Sequence, residues 1–261
     1  MLKLQKDSKK AKVIMDNKQG LNIKQDSKQD EIINMFNDIA KTYDTTNRVM
    51  SMGIDISWRK EACKEAFQIL NKQKLDIADI ACGTGDMMLH WEQSSKDLGI
   101  EIASIEGIDP SSGMLDQARE KIPHGVFKVA QANNLPLESC SKDIISIAYG
   151  LRNVVEREAA LKEFYRVLRP NGVLVILEFT TPNKHNVFSK LMQFYTKNIL
   201  PIVGGLISRN FKAYRYLPDS IDSFVTREGL ESELLACGMP TIFAKSYSAN
   251  VSSLLIAQKQ E

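Results

Sequence analysis

Apolar residues recur at helical spacing twice before the first strand signal. In EIINMFNDIAKTY, residues Ile32, Ile33, Met35, Phe36, Ile39, Ala40 and Tyr43 fall on one helical face. In SWRKEACKEAFQIL, Trp58, Ala62, Ala66, Ile69 and Leu70 do the same. The polar stretch DTTNRVMSMGID between them, with Met50 and Met52 isolated in it, reads as a loop. From Leu75 the period switches repeatedly between two and 3.6. LDIADIA reads as a strand and DMMLHWEQSS as a helix. EIASIEGID is a strand, and SSGMLDQAREKI a helix with Met114, Leu115, Ala118 and Ile122 on one face. GVFKVAQA and DIISIAYG are strands, followed by a helix around Ala160, Leu161, Phe164, Val167 and Leu168 that Arg169-Pro170-Asn171-Gly172 closes. VLVILEF, Val173 to Phe179, is apolar almost throughout, as expected of a parallel strand covered on both faces. A helix near Glu228 to Cys237 and two strands, TIFAKSYS and VSSLLIAQ, end the chain. The short break at Ala249-Asn250 makes those two strands an antiparallel hairpin.

This alternation predicts an α/β fold: a doubly wound, seven-stranded, mostly parallel sheet with a C-terminal antiparallel hairpin. A plain dinucleotide-binding fold continues with parallel strands instead. Residues 1–28 carry eight lysines against Asp7, Asp16 and Asp26 and no aromatic residue, which reads as a disordered basic tail. Residues 29–261 form a single domain, with 29–72 as helices over the active site and about 186–222 as an inserted lid or substrate segment.

Composition narrows the chemistry. With 43% hydrophobic and 25% charged residues and a net charge of +2, the chain is an ordinary globular protein with no global nucleic-acid footprint. Its four cysteines, Cys63, Cys82, Cys140 and Cys237, form no CxxC pair, and its three histidines are scattered, so no metal site is expected. The cysteines fit a reduced, cytoplasmic protein. The longest uncharged apolar stretch near the end, Ile199 to Ile207, is far short of the roughly 20 residues a membrane helix needs.

The candidate chemistry lies in DIADIACGTGDM, Asp76 to Met87. Gly83-Thr84-Gly85 follows the first strand, at the carboxyl end where open α/β sheets bind ligands. Gly83 and Gly85 allow close backbone approach, and Thr84 brings a hydroxyl. Asp109 ends the second strand, where a carboxylate accepts two hydrogen bonds from a ribose diol. The ligand is therefore a nucleoside, and NAD is one choice. The third glycine of a dinucleotide fingerprint is missing, and Asp86 near the helix N-terminus repels a pyrophosphate. A cationic sulfonium without phosphates fits better, which points to S-adenosylmethionine (SAM). Asn133 and Asn134, past the third strand, are placed to read an adenine edge, although asparagine is also common in such turns without a ligand.

The motifs YDTTNRVMSMGIDISW, DIACGTGD, AYGLRNV, RVLRPNGVLVILEF and AYRYLPDSI together resemble the UbiE/MenG family of ubiquinone and menaquinone biosynthesis C-methyltransferases, within the class I SAM-dependent methyltransferases. The resemblance runs from about Lys41 to the C-terminus. The glycine loop and LRPNG are widespread among methyltransferases, whereas GLRNV and YRYLPDSI are particular to the quinone enzymes. It implies the Rossmann-like class I fold, SAM as methyl donor with no metal, and cofactor contacts at Thr84, Asp109 and the Asn133-Asn134 turn. Three positions depart from the family. The turn after Asn133-Asn134 is two residues shorter, a serine at the end of the fourth strand is Ala148, and a histidine after Gly53-Ile54 is Asp55.

The resemblance also implies methyl transfer to a ring carbon of a polyprenylated quinol, either demethylmenaquinol or 2-methoxy-6-polyprenyl-1,4-benzoquinol. Arg152 is then the cation for the developing phenolate, since a guanidinium is too weak a base to take the proton itself. Asn153 fixes the ring hydroxyl, Tyr43 closes the pocket, and Asp55 is a candidate acid or base. Phe194 to Tyr216 reads either as a greasy lid touching the inner face of a membrane or as a packed helix covering the sheet. A homodimer is compatible with the sequence. The alternatives are a SAM-dependent methyltransferase for another small molecule and a SAM-binding module without catalysis.

Overall fold

The computed structural model describes residues 2–181, 194–248 and 250–261. Its centre is one seven-stranded sheet. The strands are β1 (Lys74–Ile80), β2 (Glu101–Asp109), β3 (Val126–Val129), β4 (Lys142–Ala148), β5 (Leu168–Phe179), β6 (Thr241–Tyr247) and β7 (Ser252–Gln258). Their order is β3-β2-β1-β4-β5-β7-β6, with β7 antiparallel between β5 and β6 and the first five strands parallel. The direction of winding reverses between β1 and β4, so a crevice opens at their carboxyl ends.

Period-two patterning sends alternate residues to opposite layers. Val173, Val175 and Leu177 of β5 pack with Leu75 and Ile77 of β1 against α2 (Ile54–Leu70) and α3 (Asp86–Leu98). Leu174 and Ile176 face the other way with Ala78, Ile80, Ile145 and Ile147. They meet α5 (Arg157–Val167) and the C-terminal helix Arg227–Ala236. Full burial of each such Leu or Ile is worth about 1.5–3 kcal/mol, so the repeated alternation holds the layers rather than any single contact. The helix α4 (Ser112–Lys121) follows β2, capped by Ser111, whose hydroxyl accepts from the Met114 N–H.

Three elements differ from the sequence expectation. The first helix, α1, runs from Leu2 to Ser51, so the expected loop after Tyr43 is helical, as are residues 2–28 of the expected disordered tail 1–28. No proline interrupts the stretch, Lys and Gln propagate a helix well, and the break comes only at Met52-Gly53, both with positive φ. The turn Arg169-Pro170-Asn171-Gly172 lies within β5 rather than before it, because Lys142 pairs with Leu168 and the register then shifts to place Ile144 opposite Val173. The strand expected from GVFKVAQA is confined to Val126–Val129.

Beyond β5, the described part of the expected 186–222 insertion begins at Phe194, and residues 182–193 lie outside the described residues. It forms α6 (Leu200–Ser208) and α7 (Phe211–Asp222), followed by α8, the helix Arg227–Ala236 named above. Gly204 and Gly205 let α7 lie close against α6: a Cβ at Gly204 would stand 2.3 Å from the Tyr214 ring. Leu200, Ala213 and Tyr214 join Ile39, Ala40 and Met50 of α1 in a separate apolar cluster, so the insertion is packed against the N-terminal helix.

Candidate active site

Two cavities open at the carboxyl end of the sheet. The first, of about 870 Å3 counted with the space open to solvent, is bounded by the glycine loop, the ends of β2 and β4, and α1. Gly83 lines it with φ of +55° and open space where a Cβ would stand. The Gly83 N–H donates to Asp109 Oδ2 at 2.9 Å, and the Ser111 N–H donates to Oδ1 at 2.8 Å. Burial pushes the Asp109 carboxyl up to about 6, against the pull of those two backbone donors. Asn133 lines the same cavity, and its amide donates to Glu156 Oε2 at 2.5 Å.

The structure separates the other expected cofactor residues from this cavity. Gly85 lies behind the loop, where a Cβ would sit 2.8 Å from Ile122 Cδ1, so its glycine serves close packing on α4. The Thr84 hydroxyl donates to Asp44 at 2.5 Å and accepts from Lys121 at 3.1 Å, which ties α1 to the loop. Asn134 is on the outer surface beside Pro136 and Val129, its N–H donating to the Gln131 carbonyl. Sequence reasoning placed helices over the site but named only Tyr43 from the first of them as a pocket residue; Gln25, Gln29, Ile32, Ile33 and Phe36 of α1 also line the cavity. The Gln29 side-chain Oε1 accepts from the Val155 N–H at 3.0 Å, and Asn37 Oδ1 accepts from Ser111 Oγ and the Gly113 N–H. The recurrence of positions 29, 32, 33, 36 and 43 on one face was the available signal, although it reads equally as a core-facing stripe. Asp79 on β1 lines neither cavity, but it is buried, its Oδ2 lacks a hydrogen-bond partner among the described residues, and burial pushes it up to about 7.

The second cavity, of about 1160 Å3 counted with the space open to solvent, lies between α1, α2, α6 and α7. Its walls are mostly apolar, including Met50, Trp58, Phe179 and Leu217, and its charged groups are Asp55, Arg59 and Arg152. Phe36, Tyr43 and Tyr149 line both cavities and form their shared wall. Burial raises the Tyr43 phenol, while the nearby Arg152, Asn47 and Arg59 act the other way. Arg152 is held firmly. Its Nη1 donates to Glu178 Oε1 and to the Tyr149 carbonyl, both at 2.6 Å, and Nε donates to Ser220 at 3.3 Å. Nη2 donates to no described residue. Asn153 lines the cofactor cavity instead, where Oδ1 accepts from the Tyr216 hydroxyl at 3.1 Å. Asp55 lines the second cavity, but Arg48 grips both its oxygens at 2.9 and 2.8 Å and Ser51 donates at 2.6 Å. Among the described residues no three His, Cys, Asp or Glu gather as a metal cage.

A cavity with a carboxylate at its β2 end, sharing aromatic walls with an apolar chamber, is the plan of a SAM-dependent methyltransferase of class I. Solved structures agree on the fold. A SAM-dependent methyltransferase from Thermotoga maritima superposes with a TM-score of 0.59 at 18% identity, covering 88% of this chain and 100% of that one. The methyltransferase in complex with the Haloferax volcanii Trm112 activator gives 0.60 at 14% identity, over 87% of this chain and 98% of that one. The model of the ubiE/COQ5 methyltransferase family matches residues 24–259, and the chain belongs to that family. A ubiquinone/menaquinone biosynthesis C-methyltransferase UbiE of Campylobacter jejuni is 53% identical over 232 residues, 89% of this chain and 99% of its own. A demethylmenaquinone methyltransferase of Thermus thermophilus is 40% identical over 208 residues, 78% of this chain and 90% of its own. The protein is therefore a SAM-dependent C-methyltransferase.

Proposed function

We propose that the protein transfers the methyl group of SAM to a ring carbon of a polyprenylated quinol, either demethylmenaquinol or 2-methoxy-6-polyprenyl-1,4-benzoquinol. The observation that carries this is the shared wall: Phe36, Tyr43 and Tyr149 stand between a cavity suited to a nucleoside and a large apolar chamber holding two arginines. Asp109 takes the ribose diol, Gly83 allows the cofactor close to the loop, and Asn133 and Gln131 line its adenine end. The quinol ring lies in the second cavity. Its isoprenoid tail leaves past Met52 and Ile54, which line that cavity and are exposed. Ile202, Leu206 and Phe211 on α6 and α7 are also exposed, a surface that fits shallow contact with a bilayer from which the tail is drawn. Among the described residues no helix is long and apolar enough to cross a membrane.

The chemistry needs an electron-rich carbon aligned with the methyl and the sulfur. The ring hydroxyl loses its proton, and the oxygen lone pair pushes through the ring onto the neighbouring carbon. That carbon attacks the methyl: a C–C bond forms, the C–S bond breaks, and the sulfonium becomes a neutral thioether. The same carbon then loses its hydrogen as a proton and the ring regains aromaticity. Arg152 contributes hydrogen bonding to the acceptor oxygen through Nη2, because Glu178 already balances its charge. Tyr43 stays neutral and, with Phe36, keeps water from the transfer path. Asn153 acts by holding Tyr216, which lines the quinol chamber.

The test supplies purified protein with methyl-labelled SAM and each reduced quinol in detergent, with Arg152→Ala alongside. Label on a ring carbon of one quinol, lost in the variant while SAM still binds, establishes the reaction and its nucleus. Tight SAM binding with no transfer to either quinol contradicts it.

A further inference from the structure

Arg59, on α2, is a largely buried cation with no hydrogen-bonding partner among the described residues. Its side chain is 12% exposed, its Nε has no hydrogen-bond partner, and its guanidinium donates to no described residue. The nearest carboxylate oxygen, Asp55 Oδ2, is 3.5 Å away, and that carboxylate is already taken by Arg48 and Ser51. Its Cζ stands 5.4 Å from the centre of the Tyr149 ring, on the wall shared by the two cavities. Arg152 is the opposite case. It lines the same chamber, yet its charge is balanced by a fully buried Glu178 and most of its donors are spent. Of the two arginines in the chamber, Arg152 keeps only Nη2, whereas Arg59 has its whole guanidinium left to give.

We propose that Arg59 is a catalytic residue whose guanidinium receives the ionised ring oxygen of the aromatic acceptor, with Asp55 fixing its angle and Tyr149 supporting it. This rests on the reading above only in requiring a hydroxylated aromatic acceptor, not a particular quinol. A buried guanidinium with free N–H groups offers planar, charge-assisted hydrogen bonds to a phenolate. In a water-poor chamber such a cation stabilises the anion that forms, which lowers the acidity threshold of the bound phenol. The groups around Arg59 are Tyr43 and Arg48 on α1, Asp55 on its own helix, Asp86 and His90 on α3, Asp79 on β1 and Tyr149 after β4. Burial opposes its charge, but Tyr149, Asp86, Asp55 and Tyr43 outweigh that and keep it protonated, so it serves as a fixed cation rather than a base. Burial, Arg59 and Arg48 together depress His90 to about 4 against the opposing pull of Asp86, so it stays neutral at working pH and adds no competing charge.

The test uses 4-nitro-1-naphthol, whose phenolate absorbs in the visible, bound to the full protein saturated with S-adenosylhomocysteine. Its ionisation is followed across pH for wild type, Arg59→Gln and Arg59→Lys, with S-adenosylhomocysteine affinity and Tm measured on each. We expect wild type to lower the probe's pKa by about one unit or more, Arg59→Gln to return it near its value in solution, and Arg59→Lys to fall between. Cofactor affinity changes by no more than about tenfold, because Arg59 reaches that cavity only through Tyr149 and does not line it. With a quinol that turns over, the acid limb of the kcat profile moves to higher pH in Arg59→Gln. A probe pKa equal in wild type and Arg59→Gln overturns the proposal, as does a wild type that takes up no probe. A shifted probe pKa without turnover of either quinol supports Arg59 and counts against the quinol reading alone.

Discussion

The two cavities are built in opposite ways. The cofactor cavity rests on backbone: the N–H groups of Gly83 and Ser111 fix Asp109, and the β1–α3 turn and the end of β2 are local features next to a rigid sheet. The acceptor chamber is assembled from side chains on α1, α2, α6 and α7 and the ends of β4 and β5, which meet only in the folded chain. The loop side of the first is pre-organised by strand geometry, with α1 closing the other side. The second depends on helix packing and on buried charge pairs, so it should be the easier one to damage selectively.

Glu178→Gln probes that difference with the largest expected effect. It leaves Arg152 buried without its counter-charge, and breaking such a pair costs about 3–5 kcal/mol of stability. Denaturant unfolding should show that loss, while the folded fraction binds S-adenosylhomocysteine normally. Asp109→Asn is the converse. It should weaken SAM by about 100-fold, of the order lost when a charged hydrogen-bonding group is removed, with little change in stability, as calorimetric titration would read.

The pH dependence follows from the same carboxylate. In the free protein burial holds Asp109 at about 6, and the ribose diol binds its ionised form. Below that value binding must expel a proton, so affinity falls as pH falls, by about tenfold per unit, and is steady with respect to this group above it. Asp109→Asn should lack the step near 6, and a step that persists in the variant would assign it elsewhere, with Asp79 the first alternative.

Much of this was legible because it is local. The strand and helix alternation, the hairpin, the glycine turn and Asp109 all follow from periodicities or from residues at a strand end. Asn133 and Asn134 were adjacent in a turn, and sequence alone does not say which faces inward. The chamber was not legible from periodicity, since the stripe Met35, Ile39 and Met50 reads as ordinary core until α6 and α7 are seen to leave a gap beside it. Arg59 was hidden for a related reason. With Asp55 four residues before it, it reads as a routine helical ion pair, and only the grip of Arg48 and Ser51 on Asp55 reveals that it is unspent. The helix over residues 2–28 was hidden by composition, because lysine-rich polarity suggests a solvated tail although lysine also propagates helices.

Two smaller perturbations sharpen the contrast. Gly204→Val places carbon where the Tyr214 ring stands, and overpacking of that kind costs about 1–3 kcal/mol. It should raise KM for the quinol while SAM affinity is kept. Asn133→Ala should weaken SAM several-fold, about 1 kcal/mol, and Asn134→Ala should leave it unchanged. Equal effects from the pair would mean that the turn rearranges when the cofactor binds.

The most direct measurement is a crystal structure with S-adenosylhomocysteine and an oxidised short-tail quinone bound together. The account predicts the nucleoside on Asp109, the quinone ring in the chamber with one oxygen at Arg59, and the cofactor sulfur facing the ring past Phe36, Tyr43 and Tyr149. A quinone bound elsewhere, or a sulfur turned away from that opening, would contradict it.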